Sequence, residues 1–265
     1  MKAVALTLCV VACTAAGCRD AARSRPALPC APLDHGMTAL STVLARYVSN
    51  GVVDYAGLKS EGEASLGAAL RAFERVCKAD YDRFTAREKL AFWVNAYNAY
   101  TLRLILDDYP VKSIRDIGFL PSAAFRKSFI PLFNLRGEAL SLNDIEHEIL
   151  RKEFREPRLH FVLVCASKGC PALRSAPYRA SNIDEELDVA TRAFVRDASK
   201  NRYNASTRTL QLSSIFKWYR DDFEHSVGTL ESFFARYATD DVAQALKESK
   251  VKVTFLAYDW ALNGR

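Results

Sequence analysis

The sequence predicts an α+β fold, in which a single, mostly helical domain packs around a small β-sheet. Several segments carry apolar residues at helical spacing, and short apolar or alternating runs lie between them without a regular strand-helix-strand period. The composition, with 49% hydrophobic and 26% charged residues, is typical of a folded chain. Because no internal repeat and no linker-like stretch follows residue 35, we expect one domain over residues 36–265.

Periodicity and start signals predict the individual elements. The predicted helices cover residues 37–48, 66–77, 85–107, 144–154, 183–198, 213–219 and 230–237. The predicted β-structure comprises a turn and strand at 51–55, hairpins at 129–140 and 203–212, a buried strand at 159–165 and a final strand at 251–255. The connection 111–128 is rich in Ser, Gly and Pro, and we expect it to lie over a cleft.

The helix predicted from residue 85 has the clearest start. Thr85 and Glu88 match a capping box, and the middle of the helix is apolar or aromatic nearly all round, which indicates burial on several sides. Asn95 and Asn98 are three residues apart and share one face of this helix. A buried amide needs hydrogen-bond partners, so these two side chains either tie the helix to a neighbouring segment or contact a substrate.

The N-terminal region predicts export. Residues 1–17 resemble a secretory signal peptide, with an apolar segment too short for a permanent membrane span. Residues 15–18 resemble a bacterial lipobox, although Ala15 stands where Leu is usual, and Cys18 would then carry the lipid. Residues 18–35 are predicted to be a tether. We expect an outer-membrane lipoprotein facing the periplasm, since Arg19 follows the cysteine, or else a soluble periplasmic protein.

The net charge of +6 is modest, and the basic residues are scattered along the chain. Nucleic-acid binding proteins usually gather basic residues on one face, so we expect no nucleic-acid partner. The expected contacts are instead the membrane, through the N-terminal lipid, and an envelope component such as a small peptide or glycan.

A cysteine loop follows the predicted strand at 159–165, and Cys165 is a candidate catalytic nucleophile. A nucleophilic thiolate needs a base within about 3 Å. His160 is close in sequence, but five strand residues span about 16 Å, and the odd separation directs the two side chains to opposite faces. Glu146 and His147, in the preceding helix, are therefore the expected partners of Cys165.

Other residues have predicted roles around this loop. The loop N–H groups, Ser167 and Asp259 are expected to contact substrate, and Lys168 is expected to lower the pKa of the thiol. On the opposite face, His160 remains a candidate base that would meet Asp259 or the helix of Asn95. His225 lies among charged residues and is expected to be solvated.

The cysteines leave several alternatives open. Of seven, three lie in residues 1–18, and an oxidising compartment permits bonds between Cys165 and Cys170 and between Cys30 and Cys77, although four cysteines allow three pairings. Zinc binding by the cysteines and histidines is disfavoured, because the spacing of Cys165 and Cys170 is loose for a structural site. We expect no metal and no cofactor.

Several long motifs occur in a set order between residues 40 and 263. They are Gly51-Val-Val-Asp-Tyr55, Phe92-Trp-Val-Asn-Ala-Tyr-Asn-Ala99, Tyr109-Pro110, Gly137-Glu138, Ile145-Glu-His147, Leu150-Arg151, Pro157-Arg-Leu-His-Phe161, Cys165-Ala-Ser167, Cys170-Pro171, Tyr258-Asp-Trp260 and Leu262-Asn263. Together they resemble the family called domain of unknown function 547. This resemblance implies no reaction, but it implies that Cys165 is a more general feature than Cys170 or His160.

A second resemblance concerns the fold. A histidine on a strand that faces a buried helix is similar to the arrangement in papain-like and transglutaminase-like proteins. In those folds the catalytic cysteine begins the helix, whereas here no cysteine lies in the helix of Asn95.

Three functions follow as hypotheses. The first is a thiol hydrolase or an acyl/amide transferase acting on an envelope component, with Cys165 as the nucleophile. The second is a non-catalytic binding or assembly module in which a bond between Cys165 and Cys170 staples a recognition loop. The third is thiol-disulfide exchange, which would need that bond to be readily reducible.

Overall fold

The structure is a computed structural model that describes residues 27–248 and 250–265. The predicted signal peptide and the predicted lipidation site at Cys18 lie outside the described residues. The α-helices are α1 Thr38–Tyr47, α2 Tyr55–Gly57, α3 Glu63–Glu74, α4 Lys78–Tyr81, α5 Ala86–Asp108, α6 Ala123–Arg126, α7 Phe133–Arg136, α8 Arg151–Phe154, α9 Ile183–Val195, α10 Ser214–Trp218, α11 Arg220–Val227, α12 Leu230–Tyr237 and α13 Asp240–Glu248.

Shorter helical segments and strands complete the fold. Leu58–Gly62 and Asp144–Leu150 are π-helical, and Ile114–Asp116, Pro157–Phe161 and Ala180–Asn182 are 3₁₀-helical. The strands are β1 Val48–Ser49, β2 Val52–Val53, β3 Arg202–Asn204, β4 Thr209–Leu212 and β5 Lys252–Phe255. The predicted α+β class is therefore confirmed, with helices as the larger part.

Two small sheets accompany the helices. β1 and β2 form an antiparallel pair, which pairs Val48 with Val53. In the second sheet β4 is central: it pairs antiparallel with β3 and parallel with β5, where Leu210 lies beside Val253. Side chains of Leu210 and Leu212 are fully buried, so one face of this sheet covers apolar side chains.

The central element is α5. Both halves of its predicted capping box are formed, since the Glu88 N–H donates to Thr85 Oγ1 at 3.3 Å and the Thr85 N–H donates to Glu88 Oε2 at 2.8 Å. Residues 90–106 are buried except Arg103. The helix packs against α3 and the π-helical segment 144–150, which explains why its sequence is apolar on every side.

The amides of α5 bind the backbone of neighbouring segments. Asn98 Nδ2 donates to the Val162 carbonyl at 2.9 Å, and its Oδ1 accepts from the Val164 N–H at 2.9 Å. Asn95 makes the same pair of bonds with the carbonyl and N–H of Tyr178, at 2.7 and 2.9 Å. Each amide thus makes the two hydrogen bonds that a neighbouring β-strand would make. These buried backbone groups therefore have the partners that they require.

The predicted strand at 159–165 is wrong. Pro157–Phe161 is a 3₁₀-helix that begins with a side-chain bond, because Glu156 Oε1 accepts from the Arg158 N–H at 3.0 Å. Residues 162–165 have no strand partner in the described part of the chain, and Asn98 instead bonds the Val162 carbonyl and the Val164 N–H. The segment is apolar because it is buried, and burial alone does not make a strand.

The hairpin predicted at 129–140 is replaced by one bridge, between Ile130 and Leu140, with α7 between them. The hairpin predicted at 203–212 is confirmed as β3 and β4, and the last predicted strand is confirmed as β5. The helix predicted at 144–154 exists, but its first seven residues are π-helical.

The apolar side chains form two clusters. The larger gathers α1, α3 and α5 with the segment 159–173, and the smaller gathers side chains of α9 to α12 and β4 around Phe161. Tyr258 packs against both clusters. The two clusters therefore meet near the cysteine loop, and the seam between them is where a cleft opens.

The segment before α1 is held against the domain, although residues 18–35 are predicted as a tether. Cys30 is disulfide-bonded to Cys77, Ala31 donates its N–H to the Arg75 carbonyl at 2.9 Å, and Asn134 Nδ2 donates to the Leu28 carbonyl at 2.7 Å. Within the described residues, no helix has the length and hydrophobicity that a membrane crossing requires.

Candidate functional site

A cleft of about 450 Å³ opens at the seam between the two apolar clusters. Its walls come from α5, the connection after it, the π-helical segment, the cysteine loop, α10 and the C-terminal segment. The residues that line it are Tyr97, Arg115, Pro121, Ser122, Phe125, Arg126, Asn143, Glu146, His147, His160, Leu163, Cys165, Cys170, Pro171, Ile215, Trp218, Tyr219, Tyr258 and Trp260. All four predicted catalytic residues, Cys165, His147, Glu146 and His160, thus face one cavity.

The π-helical segment presents Glu146 and His147 to the cleft. The segment begins with a side-chain cap, since the Asp144 N–H donates to Ser141 Oγ at 3.1 Å and Asp144 Oδ2 accepts from the Ser141 N–H at 2.8 Å. A wider helical turn changes the angle between successive side chains, and such turns recur at functional sites. In this wider turn the adjacent residues Glu146 and His147 both reach the same cavity.

Two phenols hold the carboxylate of Glu146. Tyr219 Oη donates to Oε1 at 2.6 Å and Tyr97 Oη donates to Oε2 at 3.3 Å. Burial, and then the Glu146 charge, raises the pKa of each tyrosine well above its ordinary value. Both phenols therefore stay protonated, and Glu146 accepts hydrogen bonds from both.

His160 is the centre of a second network. Its Nε2 lies 2.7 Å from Asp222 Oδ2, and Arg151 donates to both oxygens of Asp222, at 2.7 and 2.8 Å. Arg151 also donates to His147 Nδ1 at 2.9 Å. The imidazole of His160 stacks on the ring of Tyr219 with the centroids 3.7 Å apart, so its orientation is fixed by packing as well as by Asp222.

Burial lowers the pKa of His160, although the hydrogen bond to Asp222 opposes this shift. Burial alone would raise the pKa of Asp222, but the bonds from His160 and Arg151 outweigh it and hold that pKa well below its usual range. At neutral pH the imidazole is therefore neutral, and its Nε2–H donates to the carboxylate. Nδ1 has no hydrogen-bond partner among residues 27–248 and 250–265, which leaves its lone pair able to take a proton.

The cysteine loop closes with a disulfide bond between Cys165 and Cys170, as the sequence allowed. The hydroxyls of Ser167 and Tyr258 both lie on this disulfide, 3.2 Å each from Cys165 Sγ, and Tyr258 Oη donates to Cys170 Sγ at 3.1 Å. Ser167 Oγ also donates to Tyr258 Oη at 3.0 Å. Burial raises the pKa of Tyr258 well above its ordinary value, so this phenol remains a donor.

Three N–H groups of the loop are occupied by backbone carbonyls. Lys168 and Gly169 donate to the carbonyls of Ala261 and Asp259, both at 2.8 Å, and Cys170 donates to the Ser167 carbonyl at 3.1 Å. They are not free for an oxyanion, which corrects the prediction for this part of the loop. The side chain of Lys168 is exposed and lines a different hollow, which shares Tyr258 with the cleft.

None of the four predicted substrate-binding residues is among the residues that line the cleft. Asn95 and Asn98 bind backbone, as described above, and face a small internal hollow. Asp259 is exposed, and its Oδ1 accepts from the Ala261 N–H at 2.9 Å, in a segment that is not helical. Ser167, the fourth, is buried against the disulfide.

His160 and Cys165 line the same cavity, so the expected placement on opposite faces is wrong. That expectation required strand geometry, and the 3₁₀-helix with the irregular residues after it removes the alternation of side chains. The acid that binds His160 is Asp222 rather than Asp259.

Sequence reasoning missed several residues of the site. Asp222, Tyr219 and Trp218 have no predicted role, and Tyr258 and Trp260 appear only in a motif of the family resemblance. The sequence held one signal for Asp222: the adjacent Phe223 is a large apolar residue within a charged stretch, and the structure buries it fully, so that stretch is not solvated on every face. His225, in contrast, is exposed, and its Nδ1–H donates to the Asp221 carbonyl.

The residues of the cleft can support proton transfer and the chemistry of a thiol or disulfide. It has a neutral histidine with a free ring nitrogen, a carboxylate held by two phenols, and two sulfurs contacted by two hydroxyls. In the described part of the chain, no group of three His, Cys, Asp or Glu side chains is arranged to hold a metal ion.

Comparisons with known proteins give one match. No curated protein and no solved structure matches the chain. A family model described as Protein of unknown function, DUF547 matches residues 81–195, which include Glu146, His160 and both cysteines of the loop but not Asp222 or Tyr258. This match supports the resemblance seen in the motifs: residues 81–195 are similar to DUF547, a family of unknown function.

Proposed function

We propose that the protein is an exported, lipid-anchored enzyme, a thiol hydrolase or an acyl/amide transferase, that acts on an envelope component. Cys165 is its nucleophile, and the bond to Cys170 is its resting state. One observation carries this proposal: Cys165 of the cysteine loop shares a cavity with His160 of the 3₁₀-helix and with Glu146 and His147 of the π-helical segment. A cavity that gathers titratable groups and a sulfur in this way is the usual form of an active site.

The reaction begins with opening of the disulfide. A dithiol reductant of the envelope donates two electrons, becomes a disulfide itself, and leaves Cys165 and Cys170 as thiols. His160 takes the proton of Cys165, and the thiolate attacks the carbonyl carbon of an ester or amide. The leaving group departs with a proton as alcohol or amine, and water or an acceptor amine then cleaves the thioester.

The two hydroxyls on the disulfide support a thiolate at this place. A disulfide sulfur is a weak acceptor, yet Ser167, which is 1% exposed, and Tyr258 both contact it. A thiolate accepts such bonds far better, and hydrogen bonds to the charged form lower a thiol's pKa. The hydroxyls of Ser167 and Tyr258 therefore form better hydrogen bonds with a Cys165 thiolate than with the disulfide.

The disulfides also support the proposed compartment. Both described pairs, Cys30 with Cys77 and Cys165 with Cys170, are of the kind that persists in secreted and periplasmic proteins. The resemblance of residues 1–18 to a lipoprotein signal points to the same location.

The test is acylation of the full chain by p-nitrophenyl acetate before and after treatment with dithiothreitol. We expect an acetyl adduct on the peptide that contains Cys165 only after reduction, and without reduction in Cys170→Ser. The adduct should be absent in Cys165→Ser. Cys77 in the Cys30→Ser variant is the matched control, because it is also a released half of a disulfide; equal acetylation there would contradict the proposal.

A second candidate is a non-catalytic envelope binding module stapled by the same disulfide. It is favoured by the loop's bonds to the C-terminal segment, where Lys168 and Gly169 donate to Ala261 and Asp259. The disulfide would then hold the cleft wall in place, and Cys165 would not act as a nucleophile.

An experiment that separates the two candidates equilibrates the protein in glutathione buffers of rising reducing power. The disulfide bonds that remain are then mapped by mass spectrometry under non-reducing conditions. The enzyme requires the bond to open within the range of biological dithiols. A bond as resistant as a stable structural disulfide would favour the binding module.

A further inference from the structure

One wall of the cleft is an aromatic surface. Trp218, Tyr258 and Trp260 lie together, with Trp218 4.8 Å from the Tyr258 ring and 5.8 Å from the Trp260 ring, nearly parallel to the latter. Trp218 is 47% exposed, which is unusual for so large an apolar side chain. Indole faces left open to water beside a cavity favour a ligand with a flat apolar face.

Two cations lie at the same cavity. Arg115 and Arg126 are exposed and line the cleft, and neither guanidinium has a carboxylate partner within residues 27–248 and 250–265. Arg115 lies over the Trp260 ring, 5.1 Å from its centroid, and is thereby held next to the aromatic wall. Among the described cleft residues the one carboxylate is Glu146, and its oxygens are already bonded to two tyrosines.

The cleft therefore offers an aromatic wall and unpaired guanidinium groups side by side. From this we infer that it binds an acidic glycan, a sugar that carries a carboxylate. The C–H face of the sugar ring lies on Trp218, where the negative face of the indole attracts polarised C–H groups. The carboxylate of the sugar pairs with Arg115 or Arg126.

The remaining lining suits the hydroxyls and amides of such a ligand. Asn143, Ser122 and His147 are polar and face the cavity, while a simple acyl chain would have no use for them or for the arginines. A cavity of about 450 Å³ lies in the range of ordinary ligand pockets. The inference names the substrate class for the proposed enzyme, and it rests on that function only for the claim that the bound ligand reacts.

The experiment measures binding to the oxidised full chain, so that no catalysis is involved. The probes are N-acetylmuramic acid and N-acetylglucosamine, which differ by the lactyl group and its carboxylate, followed by tryptophan fluorescence. We expect the acidic sugar to bind about tenfold more tightly, as one charged hydrogen-bonded pair provides. Arg115→Gln with Arg126→Gln should remove that difference without weakening the neutral sugar.

Trp218→Ala should weaken both sugars about fivefold, and Trp218→Phe should restore part of the loss. Val189→Ala, at another exposed apolar side chain, is the matched control and should change neither affinity. Equal affinity for both sugars would overturn the inference, as would tighter binding of decanoate than of either. If the acidic sugar binds but Cys165 never acylates, the inference stands and the proposed reaction fails.

Discussion

The side chain of Asn98 shows how a single residue decides local structure. Its amide pairs with the Val162 carbonyl and the Val164 N–H, and it is 6% exposed. Without it, two buried backbone groups beside the cysteine loop would have no partner. The sequence supported the need for a bonded amide here, but it held no information on which backbone would bind.

Asn98→Ala should lower the free energy of unfolding by about 3 kcal/mol, because it leaves both backbone groups buried and unpaired. Chemical denaturation measures the change. Gln244→Ala removes an exposed amide from α13 and serves as the control, with an expected change below about 0.5 kcal/mol. A loss in Asn98→Ala no larger than that of the control would contradict this role.

The burial of His160 makes stability depend on pH. Its pKa is lowered in the folded state, whereas in the unfolded chain it is about 6.5. Above about pH 6.5 both states are neutral at this residue and the full stability is present. As the pH falls below that value, His160 binds a proton in the unfolded chain but not in the folded one. The unfolded state is thereby favoured, so stability is lost.

We therefore expect the free energy of unfolding to fall as the pH drops below about 6.5, and to fall less in His160→Gln. The difference in slope is at most about 1.4 kcal/mol per pH unit, the value for one proton. Denaturation at several pH values measures it. A steeper fall in His160→Gln than in the unaltered chain would show that the histidine is charged when folded.

Residue type alone was enough to select much of the site. Glu146, His147, His160 and Cys165 were chosen because proton transfer and nucleophilic chemistry need such groups, and all four line the cleft. Their partners are distant in sequence: Asp222 is 62 positions from His160 and Tyr258 is 93 from Cys165. Contacts of that range depend on tertiary packing, which local patterns do not encode.

The helices and strands that could be predicted from the sequence are those with local signals of their own. α5 follows from its capping box and its apolar length, and β3 and β4 follow from alternation around a turn. The segment 159–165 has neither signal, and its apolar residues fit a buried coil as well as a strand. The π-helical turn at 144–150 was also beyond prediction, because helical periodicity does not resolve one extra residue per turn.

Thr85→Ala should lower the free energy of unfolding by about 1 kcal/mol, since α5 then loses the acceptor for the Glu88 N–H. Thr85→Ser keeps the hydroxyl and should retain most of the stability. Thermal or chemical denaturation of the three proteins measures both effects. A serine variant as unstable as the alanine variant would indicate that the methyl group, rather than the cap, matters.

At the scale of the whole molecule, two apolar clusters meet at a seam, and the cleft opens there with both cysteines of the loop on its wall. The two disulfides differ in what they connect. Cys30 and Cys77 are 47 positions apart and fasten the N-terminal segment to the domain, while Cys165 and Cys170 are 5 apart and close only the loop.

Loop length then predicts unequal effects on stability. In the chain-entropy account, loss of the Cys30 bond to Cys77 costs about 4 kcal/mol and loss of the Cys165 bond to Cys170 about 2 kcal/mol. Double serine variants of each pair, compared by denaturation, measure the two values. A larger loss for the short loop would contradict the assignment of Cys30 and Cys77 as the structural pair.

In the proposed function, Cys165 is an activated thiol in the cleft once it is released from Cys170. The rate of labelling of Cys170→Ser by iodoacetamide from pH 5 to pH 10 tests this property directly. We expect a pKa for Cys165 below 8.5, the value of an unperturbed thiol, and a higher one after Tyr258→Phe or His160→Gln. Labelling that begins only above about pH 8.5, unchanged in both variants, would contradict it.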